Sequence, residues 1–246
     1  MRAVFSLVYL NGFANSHTDF TYDMFSISMQ MAKKLGYEVV LFANTKSLDR
    51  LKDVADILID VGNKKFHFYD DIKIHIWETL EGNDYFTIDG DVFLFNKLDF
   101  ILKDVAIYCD EFYESISDES LNSLKHFNSL NPSSVISEWD INNTKNLNTG
   151  IIKWVDDDFK KYFIESYNKL RNLYLKNTNY LNKNNLLAIN RSVSSHIIFE
   201  NLLYQLLKNK KLKSETLSQY KLYSHLSGEA KFSNEAVRNE IFKLKV

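Results

Sequence analysis

Tyr85-Phe86-Thr87-Ile88-Asp89-Gly90-Asp91-Val92-Phe93-Leu94-Phe95 sets two carboxylates, one residue apart, inside a long apolar run. The flanking residues are aromatic or β-branched and do not alternate with polar ones after Thr87, which is the pattern of a strand buried on both faces. An unpartnered carboxylate in such a place is costly, and a divalent cation can satisfy two at once. Gly90 between them removes a side chain and lets another group approach. One reading is a metal site at the C-terminal edge of a buried strand, where open α/β sheets bind ligands. The other is a tight Asp-Gly turn between two strands.

The flanking sequence alternates strand and helix. Residues 3–10 read as a buried strand. Helical spacing of Met24, Phe25, Ser28, Met31, Ala32 and Leu35 then predicts a helix over 21–35, stopped by Gly36. Residues 37–43 read as a second strand, which makes a βαβ unit and parallel pairing. A short helix over 48–55 and a short strand over 57–61 come next. Asp70 and Asp71 start a helix with Ile72, Lys73, Ile76, Trp77 and Leu80 on one face, closing at Gly82. Beyond the aspartates, 105–109 read as strand and 111–147 as polar and irregular, with one helix near 121–127. Asn148-Thr149-Gly150 reads as a turn leading into a strand. Helices are expected over 156–174, 194–207 and 235–244, and a short extended segment over 222–226. The expected fold class is α/β, with a mixed, mostly parallel sheet and helices on both faces. With no repeat or Gly/Ser linker, 1–246 read as a single domain: 1–110 as a nucleotide-binding half and 111–246 as an acceptor and metal-closing half.

Composition excludes several classes. The chain has 246 residues, 45% hydrophobic and 25% charged, with a net charge of -2. Such a balance gives no basic field for nucleic acid. One cysteine, Cys109, allows neither a disulfide framework nor a thiolate cluster and suits a reducing, cytoplasmic setting. No apolar run approaches the roughly 20 residues of a transmembrane segment. The first apolar stretch lacks a small-x-small cleavage site and reads as a strand, not a signal peptide.

Three pieces line up along the chain. They are Asp89 and Asp91, then Asn148-Thr149-Gly150, then His225-Leu226-Ser227-Gly228-Glu229-Ala230-Lys231. Imidazole and carboxylate donors together suit a first-row divalent cation such as Mn²⁺. Lys231 is a point charge that suits a phosphate. Among other candidates, Lys73 can contact a donor, while Trp77 reads as core. Glu200 reads as a sugar-binding carboxylate or a partner for a helix terminus. Asp156-Asp157-Asp158 reads as the first turn of a helix, and Lys208, Lys210, Lys211 and Lys213 as a solvated helix end.

In this order the motifs resemble nucleotide-sugar glycosyltransferases of the GT-A fold, of the glycogenin and lipopolysaccharide-galactosyltransferase kind. The resemblance implies that Asp89, Asp91 and His225 hold Mn²⁺ or Mg²⁺, and that Gly228 and Lys231 meet the diphosphate. It implies that Tyr9 and Asn11, in the loop after the first strand, meet the nucleotide together with Lys73, Asp89 and Gly90. Asn148, Thr149, Gly150 and Glu200 would shape the sugar site. The implied donor is a nucleoside-diphosphate sugar, UDP-sugar by preference; the acceptor is an unknown saccharide, lipid or protein, and transfer retains anomeric configuration. Phe232 stands where the family has Pro-Trp. Two rivals remain. In a haloacid dehalogenase-type Mg-dependent phosphatase, Asp89 and Asp91 would work with Asp156 and Asp157. The other rival is a non-catalytic nucleotide-sugar-binding protein.

Overall fold

The computed structural model describes residues 1–8, 19–62, 64, 66–98, 100, 104–116, 118–177 and 192–225. Its centre is a sheet of seven strands: β1 (Arg2–Leu7), β2 (Glu38–Ala43), β3 (Ile57–Asp60), β4 (Tyr85–Ile88), β6 (Ile107–Tyr113), β7 (Asn146–Trp154) and β8 (Ser214–Thr216). Their order across the sheet is β3-β2-β1-β4-β7-β6-β8. All neighbours run parallel except at β7, which is antiparallel to both β4 and β6. The sheet is thus mixed and mostly parallel, as the βαβ order predicts. Ala3 lies opposite Val39 on one side and Phe86 on the other, so the first strand and the aspartate strand are direct neighbours.

Helices cover both faces. Alternation along β1 and β2 sends Val4 and Val40 into one core and Ala3, Phe5, Val39 and Leu41 into the other. Helix α1 (Asp19–Lys34) supplies Phe25, Ile27 and Met29 to the second core. Helices α3 (Asp71–Thr79) and α5 (Asp157–Asn177) supply Ile72, Ile76, Trp77, Phe163 and Tyr167 to the first. The short α2 (Thr45–Leu51) adds Leu51 to the second core, and α4 (Asp118–Asn128) adds Leu124 and Phe127 to the first. Gly36 and Gly82 sit at φ 79° and 78°, the left-handed geometry that a helix stop or tight turn asks of glycine. Among the described residues no helix is long and apolar enough to cross a membrane.

Three expectations are corrected. Asn148-Thr149-Gly150 is not a turn: it lies inside β7, with Asn148 opposite Glu111. Its short polar residues read locally as a turn, yet β6 pairs with it on one side and the Asp89 amide bonds the Gly150 carbonyl on the other, and pairing overrides that preference. For the same reason, the stretch 111–147 begins in β6, which runs to Tyr113, and ends in β7, which starts at Asn146, with α4 between them. The helix expected over 194–207 is a π-helical run, Ser192–Asn201, leading into α6 (Leu202–Lys210). The helix expected over 235–244 lies outside the described residues.

The chain leaves the main sheet at Gly90. Residues 89–92 form a turn in which the Val92 N–H donates to the Asp89 carbonyl at 3.1 Å. The next strand, β5 (Val92–Leu94), pairs antiparallel with β9 (Tyr223–His225) in a separate two-stranded sheet. An Asp-Gly turn and a strand-end site are therefore the same object. A Cβ at Gly90 would overlap the Phe25 ring, so the group that approaches this glycine is a core side chain of α1.

Asp71 fixes the start of α3. Its carboxylate accepts from the His67 and Phe68 amides at 2.9 and 3.1 Å, from the Tyr167 hydroxyl at 3.0 Å, and from Arg171 at 2.6 and 3.0 Å. Asp71→Ala should cost about 3 kcal/mol in urea unfolding, the low end for breaking a buried pair, because the Arg171 side chain keeps 20% of its surface exposed.

Candidate active site

The site gathers where β4 ends and β7 begins. Because β7 is antiparallel, its first residues lie beside the last residues of β4, and the Asp89 amide donates to the Gly150 carbonyl at 2.8 Å. The pairing of β5 with β9 sets His225 opposite Val92, one residue from Asp91. Sequence pieces far apart in the chain thus converge: the aspartate pair, Asn148-Thr149-Gly150, and His225.

His225 stands between two carboxylates. Its Nε2 faces Asp91 Oδ1 at 3.6 Å, and its Nδ1 pairs with Asp110 Oδ2. Asp110, on β6 at the register shift between Cys109 and Glu111, is 2% exposed. The Tyr223 hydroxyl donates to the other oxygen of the same carboxylate. Gly150 makes room for this arrangement, since a Cβ there would lie 2.7 Å from His225 Cε1 and 2.8 Å from Asp110 Oδ2. Asn148 donates to the Tyr113 hydroxyl at 3.0 Å and accepts from the Gly150 amide at 2.9 Å. Asp110 escaped the sequence reading. It carries the signal that marked Asp89, a carboxylate closing the apolar run Val105-Ala106-Ile107-Tyr108-Cys109 with a second acid, Glu111, next to it, but it has neither the one-residue spacing nor the glycine of Asp89-Gly90-Asp91.

A second network lies beside the first. Lys73 on α3 pairs with Asp89 at 2.9 Å and donates to the Thr149 carbonyl at 2.9 Å. Glu200, on the π-helical run, accepts from Asn146 at 2.8 Å and from the Thr149 hydroxyl at 3.5 Å. A side chain two positions into α3 thus reaches Asp89. The network binds Asp89, Lys73, Thr149, Glu200 and Asn146 together.

Burial works to lower the Lys73 ammonium, but Asp89, Asp70 and Glu200 outweigh it and raise it, so Lys73 is charged. Loss of solvent pushes the Asp89 carboxyl up; Lys73 opposes this and the Asp91 charge adds to it. For His225, burial lowers the imidazole, while the bond to Asp110 and the charges of Asp91, Asp110 and Asp89 raise it by more.

Asp91 and His225 offer an oxygen and a nitrogen donor side by side, a set that a first-row divalent cation accepts. Asp89 is held by Lys73 while its side chain keeps 35% of its surface exposed. Among the described residues no three His, Cys, Asp or Glu side chains form a ready-made ligand cluster. Tyr9, Asn11, Gly228 and Lys231 lie outside the described residues. Trp77 is core, stacked on Phe199 and edge-on to Trp154. Lys210 lies over the Tyr162 ring at 4.1 Å and Lys213 pairs with the exposed Asp104, as suits a solvated helix end.

Asp156 and Asp157 do not join the site. They come after the C-terminal end of the antiparallel β7, at the opposite edge of the sheet, and Asn83, which precedes β4, donates to Asp157 at 3.4 Å. This removes the phosphatase alternative, which needs both acidic pairs at one edge.

The fold has counterparts among solved structures. The chain is similar to the glycosyltransferase GlyE of Streptococcus pneumoniae TIGR4, with a TM-score of 0.52 at 11% identity over 99% of this chain. It spans 60% of that chain, less than two thirds of its length. It is also similar to the galactosyltransferase LgtC, solved in complex with donor and acceptor sugar analogues, with a TM-score of 0.50 at 10% identity over 99% of this chain and 95% of that one. The fold is the GT-A fold of these glycosyltransferases. No curated protein matches the sequence. Residues 19–241 match DUF6734, a family of unknown function, and the chain belongs to that family.

In the metal-free protein His225 should titrate above 6.5, its ordinary value. A raised folded-state value contributes stability that is fully present below 6.5 and is lost as pH rises through the folded value. The stability gap between the wild type and His225→Gln should therefore be widest in acid and shrink in base. NMR titration of the ring and urea melts against pH measure both.

Proposed function

We propose that this protein is a cytoplasmic, metal-dependent glycosyltransferase that moves a sugar from a nucleoside-diphosphate sugar, preferably a UDP-sugar, to a saccharide, lipid or protein acceptor. One observation carries the reading. The Asp89-Gly90-Asp91 turn closes β4 at the C-terminal edge of a GT-A sheet, and β9 brings His225 to 3.6 Å from Asp91.

Asp91 and His225 would hold Mn²⁺ or Mg²⁺. When bound, the cation supplies Lewis-acid neutralisation of the charge on a departing diphosphate. The chain's own groups do the rest. Lys73 holds Asp89 in place and, by its bond to the Thr149 carbonyl, ties α3 to β7. Asp89 keeps enough exposed surface to accept a hydroxyl of ribose or sugar. Four carboxylates, Asp89, Asp91, Asp110 and Glu200, gather here beside the Lys73 ammonium and the His225 imidazole. That excess of negative charge favours a bound cation. Gly228 and Lys231 are proposed as diphosphate contacts, and Tyr9 and Asn11 as nucleotide contacts, on the resemblance of their motifs. Asn148, Thr149 and Gly150 are proposed to border the sugar.

Retention is the proposed stereochemistry. An inverting enzyme needs a base within reach of the acceptor hydroxyl. Here Asp110 and Glu200 are 2% and 8% exposed and spend their oxygens on Tyr223, His225, Asn146 and Thr149. That suits a reaction in which the departing phosphate oxygen takes the proton on the same face.

Mn²⁺ with UDP should raise the melting temperature more than Mn²⁺ with GDP or CDP, since a ligand of the folded state alone stabilises it. Asp91→Asn should lower metal-dependent hydrolysis of a UDP-hexose by roughly 100-fold or more with the fold intact. Retained activity in that variant would sink the assignment. NMR of the product from an α-linked donor should show an α-linkage; a β-linkage would exclude retention.

A further inference from the structure

Asp110 is buried on β6 and has both carboxylate oxygens engaged by β9: Oδ1 by the Tyr223 hydroxyl and Oδ2 by His225 Nδ1. The imidazole lies between this carboxylate and Asp91, with one ring nitrogen toward each. Asn148 Nδ2 also lies 3.5 Å from His225 Nδ1, with its other N–H on the Tyr113 hydroxyl at 3.0 Å, but the Asp110 carboxylate is much the nearer partner of Nδ1 and, being an acceptor alone, asks for a proton there. Nδ1 therefore has a carboxylate acceptor and no competing one in the described surroundings. A neutral imidazole has one N–H and one lone pair, and the partner of the first nitrogen decides where the lone pair appears. With Nδ1–H donated to Asp110, the lone pair is on Nε2, the nitrogen that faces Asp91.

Asp110 does not serve merely to anchor β9. The Tyr223 hydroxyl also reaches the Asp110 backbone carbonyl at 3.1 Å, and β9 pairs with β5 through three residues of backbone. Those contacts survive loss of the carboxylate. Nor does Asp110 suit the part of a ligand, because its oxygens are taken and it lies across the ring from Asp91.

We propose that Asp110 is a positioning residue: it holds His225 in the Nδ1–H tautomer and in the orientation that presents Nε2, beside Asp91, to a divalent cation. This rests on the reading of Asp91 and His225 as cation ligands. Carboxylates behind a ligating histidine fix its tautomer, orient its ring and raise its basicity. Gly150 is part of the same device, since it vacates the space that the His225–Asp110 pair occupies.

The test uses the full chain with Mn²⁺ alone as probe, its free concentration read by electron paramagnetic resonance. Asp110→Asn should weaken Mn²⁺ binding by roughly 10–100-fold. An amide keeps the size but can offer N–H to Nδ1 and so reverse the tautomer. Tyr223→Phe, which spares the His225 contact, should bind Mn²⁺ close to wild type; a loss equal to that of Asp110→Asn would mean that anchoring of β9 is the whole effect, and the proposal fails. Nitrogen-15 NMR of the metal-free wild type, with the ring neutral, should show His225 protonated at Nδ1. A proton on Nε2 overturns the proposal whether or not any variant folds. If His225→Ala loses Mn²⁺ binding while Asp110→Asn retains it, the ligand reading stands and the role of Asp110 falls. If the wild type binds no Mn²⁺, both fall.

Discussion

The pairing of three residues of β5 with three of β9 is what the site depends on. Val92 opposite His225, Phe93 opposite Ser224 and Leu94 opposite Tyr223 is a short register, but strand registers are discrete. A slip of one residue would turn the imidazole to the other face of the ribbon and away from Asp91. The register is held at both sides. Val92, Phe93 and Leu94 are buried in the second core, and the Ser28 hydroxyl of α1 donates to the Val92 carbonyl. Asp110 of the main sheet grips Tyr223 and His225 from behind. The ribbon is small and could not be stable alone; the main sheet and α1 lend it their rigidity.

Charge is the second organising element. Carboxylates from the turn after β4, from β6 and from the π-helical run are collected at one end of the sheet. Lys73 is the cation aimed among them, and its raised ammonium value results from the acids around it. The arrangement divides into two parts. Lys73, Asp89, Thr149 and Glu200 join α3, β4, β7 and the π-helical run. Asp91, His225, Asp110 and Tyr223 join the turn, β9 and β6. Each half ties elements distant in sequence, so the polar groups specify the packing as well as line the site.

The GT-A fold of GlyE and LgtC is reached here at 10–11% identity. Sequences so different can build the same sheet because the sheet needs only apolar residues with the right period. A site, by contrast, needs particular residues at particular strand ends. The convergence of Asp91 and His225 on this scaffold therefore weighs more in the functional proposal than the fold does.

The sequence by itself determined the alternation of strands and helices, the burial of the aspartate strand, and the glycine stops after α1 and α3. Those features are local: period, β-branching and turn chemistry act within a few residues. It also flagged Asp89, Asp91, Lys73 and Glu200, because a charged group among apolar residues stands out along the chain, and His225, by its spacing to Gly228 and Lys231. The tertiary structure decided what those groups meet. Asn148 to Gly150 became strand because β6 paired with it at Asn148 and the Asp89 amide, just past β4, bonded the Gly150 carbonyl. Gly90 proved to admit the Phe25 ring, and Gly150 the His225–Asp110 pair, which no local pattern encodes. Asp110 became visible only when β9 folded against β6, 115 positions away along the chain, since the acceptor for an imidazole is chosen by packing between elements and not by spacing within one.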